Sequence, residues 1–138
     1  MCFFKIKKLT RQIERELEST GACATLNVVY LDGDIDIIPG TVCQLYAFDD
    51  RLEIHVLKGR SRTYSYSYED LIDIQSVKMA HPDRYHGINI LTYRLKFTNA
   101  YMEFEPNDDG YKMYNSVSRN VNNLHSFVEG KLNNRETH

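Results

Sequence analysis

The stretch from Thr41 to Lys78 limits the fold more than any other part of this chain. Val42-Cys-Gln-Leu-Tyr-Ala-Phe48 turns on Asp49-Asp50 and returns as Leu52-Glu-Ile-His-Val56, with clean alternation of apolar and polar side chains. Alternation at period two marks a half-buried strand, because successive side chains leave opposite faces. A short loop carrying Lys58, Arg60 and Arg62 follows, then Thr63-Tyr-Ser-Tyr-Ser-Tyr68, then Glu69-Asp-Leu-Ile-Asp-Ile74. The spacing predicts three strands in a meander, closed by a one-turn segment that carries Leu71 and Ile72. Such a unit makes a small curved antiparallel sheet and names no reaction.

Residues 1–20 read as an amphipathic helix. Ile6, Leu9, Ile13 and Leu17 fall on one helical stripe, Phe3 extends it, and Phe4 lies beside it. Lys5, Lys7, Lys8, Arg11 and Arg15 occupy the other face, with Glu14, Glu16 and Glu18 confined to the second half. Gly21 supplies the stop, glycine being the residue best suited to the position after a helix. Next, Leu26–Tyr30 is expected to turn on Asp32-Gly33 into a strand Ile35–Ile38, with Pro39-Gly40 ending that hairpin.

Beyond the meander, Ile74–Met79 reads as a strand and 81–87 as a polar loop. Ile88–Phe97 places Leu91, Tyr93, Leu95 and Phe97 on one face, then turns on Thr98-Asn99 into Tyr101–Phe104, with Met102 and Phe104 inward. Six or seven antiparallel strands result. Tyr114, Val117, Val121, Leu124, Val128 and Leu132 then trace one stripe of a closing helix, opened by the acids of Asn107-Asp-Asp-Gly110. A helix with one apolar stripe after a run of strands lays that stripe on the sheet. Residues 134–138 are expected to fray.

Composition sets outer bounds. With 138 residues, 42% hydrophobic and 26% charged, the chain fits one globular domain with a core of its own. A net charge of −2 argues against a general polyanion binder, so no nucleic acid is expected. Ten Tyr and six Phe suit a pleated surface. Cys2, Cys23 and Cys43 have no CxxC spacing. Cys23 and Cys43 read as small buried hydrophobes and Cys2 as a near-terminal thiol, and reduced thiols suit the cytosol. No apolar run approaches the ~18 residues of a membrane-spanning helix, and the first residues lack the pattern of a secretory signal. The expectation is a cytoplasmic protein.

The carrying residues Gly40–Ile54, Thr63–Ile74, the last strand pair and the helix from Asp108 to Leu132 together resemble the pleckstrin-homology-like family, in its bacterial GRAM-like branch. The resemblance covers about residues 25–132 and rests on apolar spacing. It implies an α+β, mainly β fold: a curved antiparallel sheet or partly open barrel of about seven strands with a C-terminal capping helix. The N-terminal amphipathic helix, 1–21, would precede this domain at 22–133. The opening Met-Cys-Phe-Phe-Lys-Ile-Lys-Lys looks like the aromatic-basic start of many small bacterial and prophage proteins. Members of the family mostly bind lipid headgroups, peptides or other subunits, and fold alone does not choose among these.

Residue-level chemistry offers few catalytic leads. Asp32, Asp34 and Asp36 are similar to the first ligands of an EF-hand loop, but Ile37 and Cys43 stand where that loop needs Gly and a bidentate Glu. His81 and His86, with Asp83 between, lack a metal-ligand spacing. No nucleophile-elbow or Gly-rich phosphate motif occurs. No metal, cofactor, small-molecule substrate or catalysis is therefore expected. Two sets of candidate residues remain. Phe3, Phe4, Ile6, Leu9, Ile13 and Leu17, with Tyr64, Tyr66 and Tyr68 on one face of a strand, would dock a protein partner or a second copy. Lys5, Lys7, Lys8 and Arg11, with Lys58, Arg60 and Arg62, would meet an anionic membrane surface, the rival reading.

Overall fold

A computed structural model describes residues 11, 14–57, 59, 61–80, 89–107 and 120–136, without the side chains of 76–80, 89–91, 120–123 and 135–136. Helix α1 (residues 14–20) leads into β1 (Ala24–Gly33), β2 (Val42–Ala47), β3 (Arg51–Val56) and β4 (Arg62–Ser67). A single 3-10 turn (Tyr68–Asp70) joins these to β5 (Leu71–Ala80), β6 (Asn89–Phe97) and β7 (Ala100–Pro106), and α2 (Asn120–Glu136) closes the described chain. The strands form one antiparallel sheet in the order β4-β3-β2-β1-β7-β6-β5. The fold is therefore mainly β with a C-terminal helix, as the alternation predicts.

The sheet is rolled. Five inter-strand steps separate β4 from β6, so a flat sheet would hold them about 24 Å apart. Yet the rings of Tyr66 on β4 and Phe97 on β6 lie 5.2 Å apart, centroid to centroid. β1 sits at the middle, paired on both sides, and a register shift between Tyr30 and Asp32 bends it. The enclosed face holds Leu26, Val28, Leu45, Leu52, Ile54, Leu95, Met102 and Phe104, each fully buried. Leu124, Val128 and Leu132 of α2 join this core, while Phe127 meets Tyr68 and His125 meets Tyr93. Tyr114 and Val117 of the expected stripe lie outside the described residues, and the helix runs on to Glu136, into the stretch expected to fray.

Three local expectations are corrected. Asp32-Gly33 is not a hairpin turn: Gly33 ends β1 and lies against β7, and β1 pairs with β2 instead of with Ile35–Ile38. A β-carbon at Gly33 would stand 2.3 Å from the Tyr101 carbonyl oxygen and 2.9 Å from the Met102 Cα, and its φ is +147°. The glycine is there for close backbone approach between strands, a tertiary demand that mimics a local turn signal. The turn falls later, where the Thr41 amide donates to the Ile38 carbonyl across Pro39-Gly40, with Gly40 at φ +95°. Leu71 and Ile72 do not share a turn but open β5, so they leave opposite faces, Leu71 buried and Ile72 exposed. Cys43 is buried as expected, whereas Cys23 is exposed because it precedes β1, in the bend after the helix stop. That stop is the predicted Gly21, at φ +79°, whose amide donates to the Leu17 carbonyl at 2.9 Å.

Candidate interaction surfaces

β4 carries two of the tyrosines singled out as a docking face, Tyr64 and Tyr66, and the 3-10 turn after it carries the third, Tyr68. Its register sets Tyr64 opposite Ile54 and Tyr66 opposite Leu52, so both rings turn toward the core. Tyr64 is half-buried and its hydroxyl donates to the Asp36 carbonyl at 2.9 Å. Tyr66 is half-buried against Phe97, and burial, with Asp34 nearby, pushes its hydroxyl up to about 12. Tyr68 lies in the 3-10 turn at 6% exposure, its ring against Phe127, and burial raises its hydroxyl well above the usual range. Tyr64 and Tyr66 share one face of β4, the inner one, while Tyr68 lies beyond the strand's end in the 3-10 turn and not on the strand as expected.

What β4 turns outward is its backbone. The Leu57 amide donates to Val42 and the Phe48 amide to Arg51, so odd-numbered residues of β3 bond toward β2. Successive residues of a strand point their amides to opposite sides. Even-numbered residues of β3 therefore bond to β4, through Tyr66 and Tyr64, in line with the Tyr68 amide donating to Asp50. This leaves the N–H and C=O groups of Thr63 and Ser65, and the Ser67 N–H, directed at the outer edge, where no described strand pairs with them, while the Ser67 carbonyl opens the 3-10 turn. Thr63 and Ser65 are exposed. Edge strands are commonly blunted by charge, proline or a bulge. β4 has only Arg62, at its start, whereas β5 at the other edge carries Asp73 and a register shift beside Leu71.

An open cleft of about 450 Å³ runs beside this edge, lined by Asp49, Asp50, Arg51, Ser65, Glu69 and Lys131 among others. Two ion pairs cross it: Lys131 binds Asp49 at 2.9 Å and holds that carboxyl below the usual range, and Arg51 binds Asp50 at 2.8 Å. Farther along β3, burial would raise the Glu53 carboxyl, but hydrogen bonds from His55 and Arg51 outweigh it and hold it low. A smaller hollow outside β5–β7 contains Arg94 on Glu103 at 2.5 Å, with the Tyr101 hydroxyl donating to the same carboxylate at 2.6 Å. Burial and that bond move Tyr101 up to about 12.

The rim formed by the β1–β2 and β3–β4 connections holds the basic loop. Arg62 is exposed and pairs with Asp36 at 3.3 Å, while Lys58 and Arg60 lie outside the described residues. Ile38 is 77% exposed and Leu57 is 52% exposed on the same rim. Asp34 Oδ1 accepts the Tyr101 amide at 2.8 Å, so Asp34 and Asp36 of the calcium-like triplet act as loop braces. Among the described residues no group of three or more His, Cys, Asp or Glu is placed to hold a metal ion. His81 and His86 fall outside them.

For the N-terminal helix, Phe3, Phe4, Lys5, Ile6, Lys7, Lys8, Leu9 and Ile13 lie outside the described residues. Arg11 is exposed and Leu17 half-buried. α1 rests on the outer face of the sheet, where the Tyr46 hydroxyl donates to Glu16 Oε1. Burial first, then Glu16, raises the Tyr46 hydroxyl well above its usual range. Next to Tyr46 runs a buried polar ladder that the sequence did not announce. Asn107 donates to Asn27, Asn27 to Gln44, Gln44 to Thr25, and Thr25 to the Leu45 carbonyl, at 2.6–2.8 Å. Thr25, Asn27 and Gln44 occupy the polar positions of their strands, where alternation predicts solvent, and only the register brings them together. No helix among the described residues is long and apolar enough to cross a membrane. No family model matches the chain, and no curated protein matches it.

Proposed function

We propose that this chain is a non-catalytic, cytoplasmic interaction module of the pleckstrin-homology-like kind, acting through contact with a protein partner or a second copy of itself. One observation carries the reading: β4 is a six-residue edge whose outward amides and carbonyls meet no described strand and whose one blocking charge, Arg62, stands at its start. The rolled sheet and the helix packed in its opening agree with such a scaffold, on which binding is placed at edges and rims. Asp49, Asp50, Arg51 and Lys131 of the cleft and Arg94 beside the hollow are held in ion pairs, which favours a structural use of these groups over acid–base chemistry. Crosslinking of the native protein, read by mass spectrometry, tests this. Covalent links to a defined partner or between copies are expected, and neither partner nor self-association would overturn it.

A second reading, docking on an anionic membrane, draws on exposed Ile38 and Leu57 beside Lys58. In sequence, Asp32, Asp34 and Asp36 offset Lys58, Arg60 and Arg62 in number, so attraction is weak and salt-sensitive. Sedimentation with anionic vesicles at low salt decides it: loss of pelleting in Ile38→Asp/Leu57→Asp supports the rim, and no pelleting at all removes the reading.

A further inference from the structure

We propose that the exposed edge of β4 pairs with β4 of a second copy of this chain, antiparallel about a two-fold axis at Ser65, making one continuous sheet across the dimer. The inference rests on the interaction reading above and names the occupant of its edge. The occupant follows from self-complementarity. An isologous contact must match a surface to itself. Set antiparallel with Ser65 opposite Ser65, the strand places Thr63 opposite Ser67, the residues whose backbone groups already point outward. The two Ser65 residues then exchange amide–carbonyl bonds as a hydrogen-bonded pair, and each Ser67 amide faces the Thr63 carbonyl of the other copy. On the outer face the meeting side chains are small hydroxyls. On the inner face Tyr64 falls opposite Tyr66 of the other copy, a favourable aromatic cross-strand pair. Arg62, the strand's one charged residue, falls beyond the Ser67 end of the other copy's strand and not opposite its counterpart, so no like charges meet. At the other edge, the bulge at Leu71–Asp73 interrupts the ladder that a partner strand would need.

The contact is short. Six residues bury less surface than a stable dimer of standard size, so association belongs to the weak class, with Kd on the order of micromolar or higher. Sedimentation velocity from about 5 to about 500 µM spans that range. Wild type is expected to move from monomer toward dimer mass. Ser65→Lys places like charges directly opposite across the axis, on an exposed side chain that the single chain tolerates. Ser65→Pro removes an outward amide and no ladder bond to β3. Both variants should remain monomeric throughout, with dimerisation weakened at least about tenfold. If Ser65→Pro fails to fold, Ser65→Lys decides. A wild type that stays monomeric at the top concentration overturns the proposal, as does a dimer that survives Ser65→Lys. Links to a different protein from a monomeric chain would overturn the β4 dimer while leaving the interaction reading intact.

Discussion

Truncating Leu124 to Ala tests whether α2 holds the rolled sheet together. Leu124 is fully buried in the core that joins α2 to β1 and β5. Removing three carbons forfeits about 2.4 kcal/mol of burial at ~0.8 kcal/mol per group. The void left behind adds to this, and here it closes poorly. Ring contacts hold the helix on either side of Leu124, Tyr93 on His125 at 5.6 Å and Tyr68 on Phe127 at 6.3 Å. The cost should therefore reach about 3–4 kcal/mol, within the range for Leu→Ala in cores. Against a total of roughly 5–15 kcal/mol this is a large share. The urea midpoint should fall by about 1.5–2 M for a slope near 2 kcal/mol per M, and the melting temperature by about 10–20 °C. Ser126→Ala, exposed on the same helix, serves as control and should barely move either. Circular dichroism reads both. Coincident midpoints for Leu124→Ala and Ser126→Ala would refute the packing of α2 on the sheet.

Gly33→Ala should be among the most damaging single-methyl changes, since the new carbon would overlap backbone atoms of β7 at a φ of +147°. A loss of at least about 2 kcal/mol in a urea melt is expected, and a neutral result would mean that β1 and β7 do not meet there. At alkaline pH, Tyr66 and Tyr101 are raised to about 12 and Cys43 to about 11, burial being the largest cause for each. A group raised on folding lends stability that is complete below its unfolded value and fades as pH climbs through the folded one. Stability should thus decline from about pH 9–10 toward pH 12. Phenolate absorbance should lag that of the urea-unfolded chain, and superimposed titrations would contradict the burial.

How much of this was legible depended on whether a signal was local. The alternation of Leu52, Ile54 and Val56 and the spacing of Leu124, Val128 and Leu132 report one buried face each, and both faces are where the pattern puts them. The tyrosine strand was legible as a single face, but period two cannot say which face is the core. Asp32-Gly33 misled because a glycine needed for close approach to β7 has the same letters as a hairpin turn. The ladder from Asn107 to Thr25 was hidden for a different reason: its members lie 17–80 positions apart, and only pairing of β1 with β2 and β7 makes them neighbours. The free edge of β4 was likewise invisible, since strand order is a property of the whole sheet.

The most direct test of the β4 dimer, the specific form given to the interaction reading, is amide hydrogen exchange along β4 at low and high protein concentration. The account predicts slow exchange at Tyr64 and Tyr66 under both conditions, because those amides bond to β3. Thr63, Ser65 and Ser67 should exchange quickly in dilute solution and become protected as the concentration rises. Exchange at Thr63, Ser65 and Ser67 that does not change with concentration would contradict it.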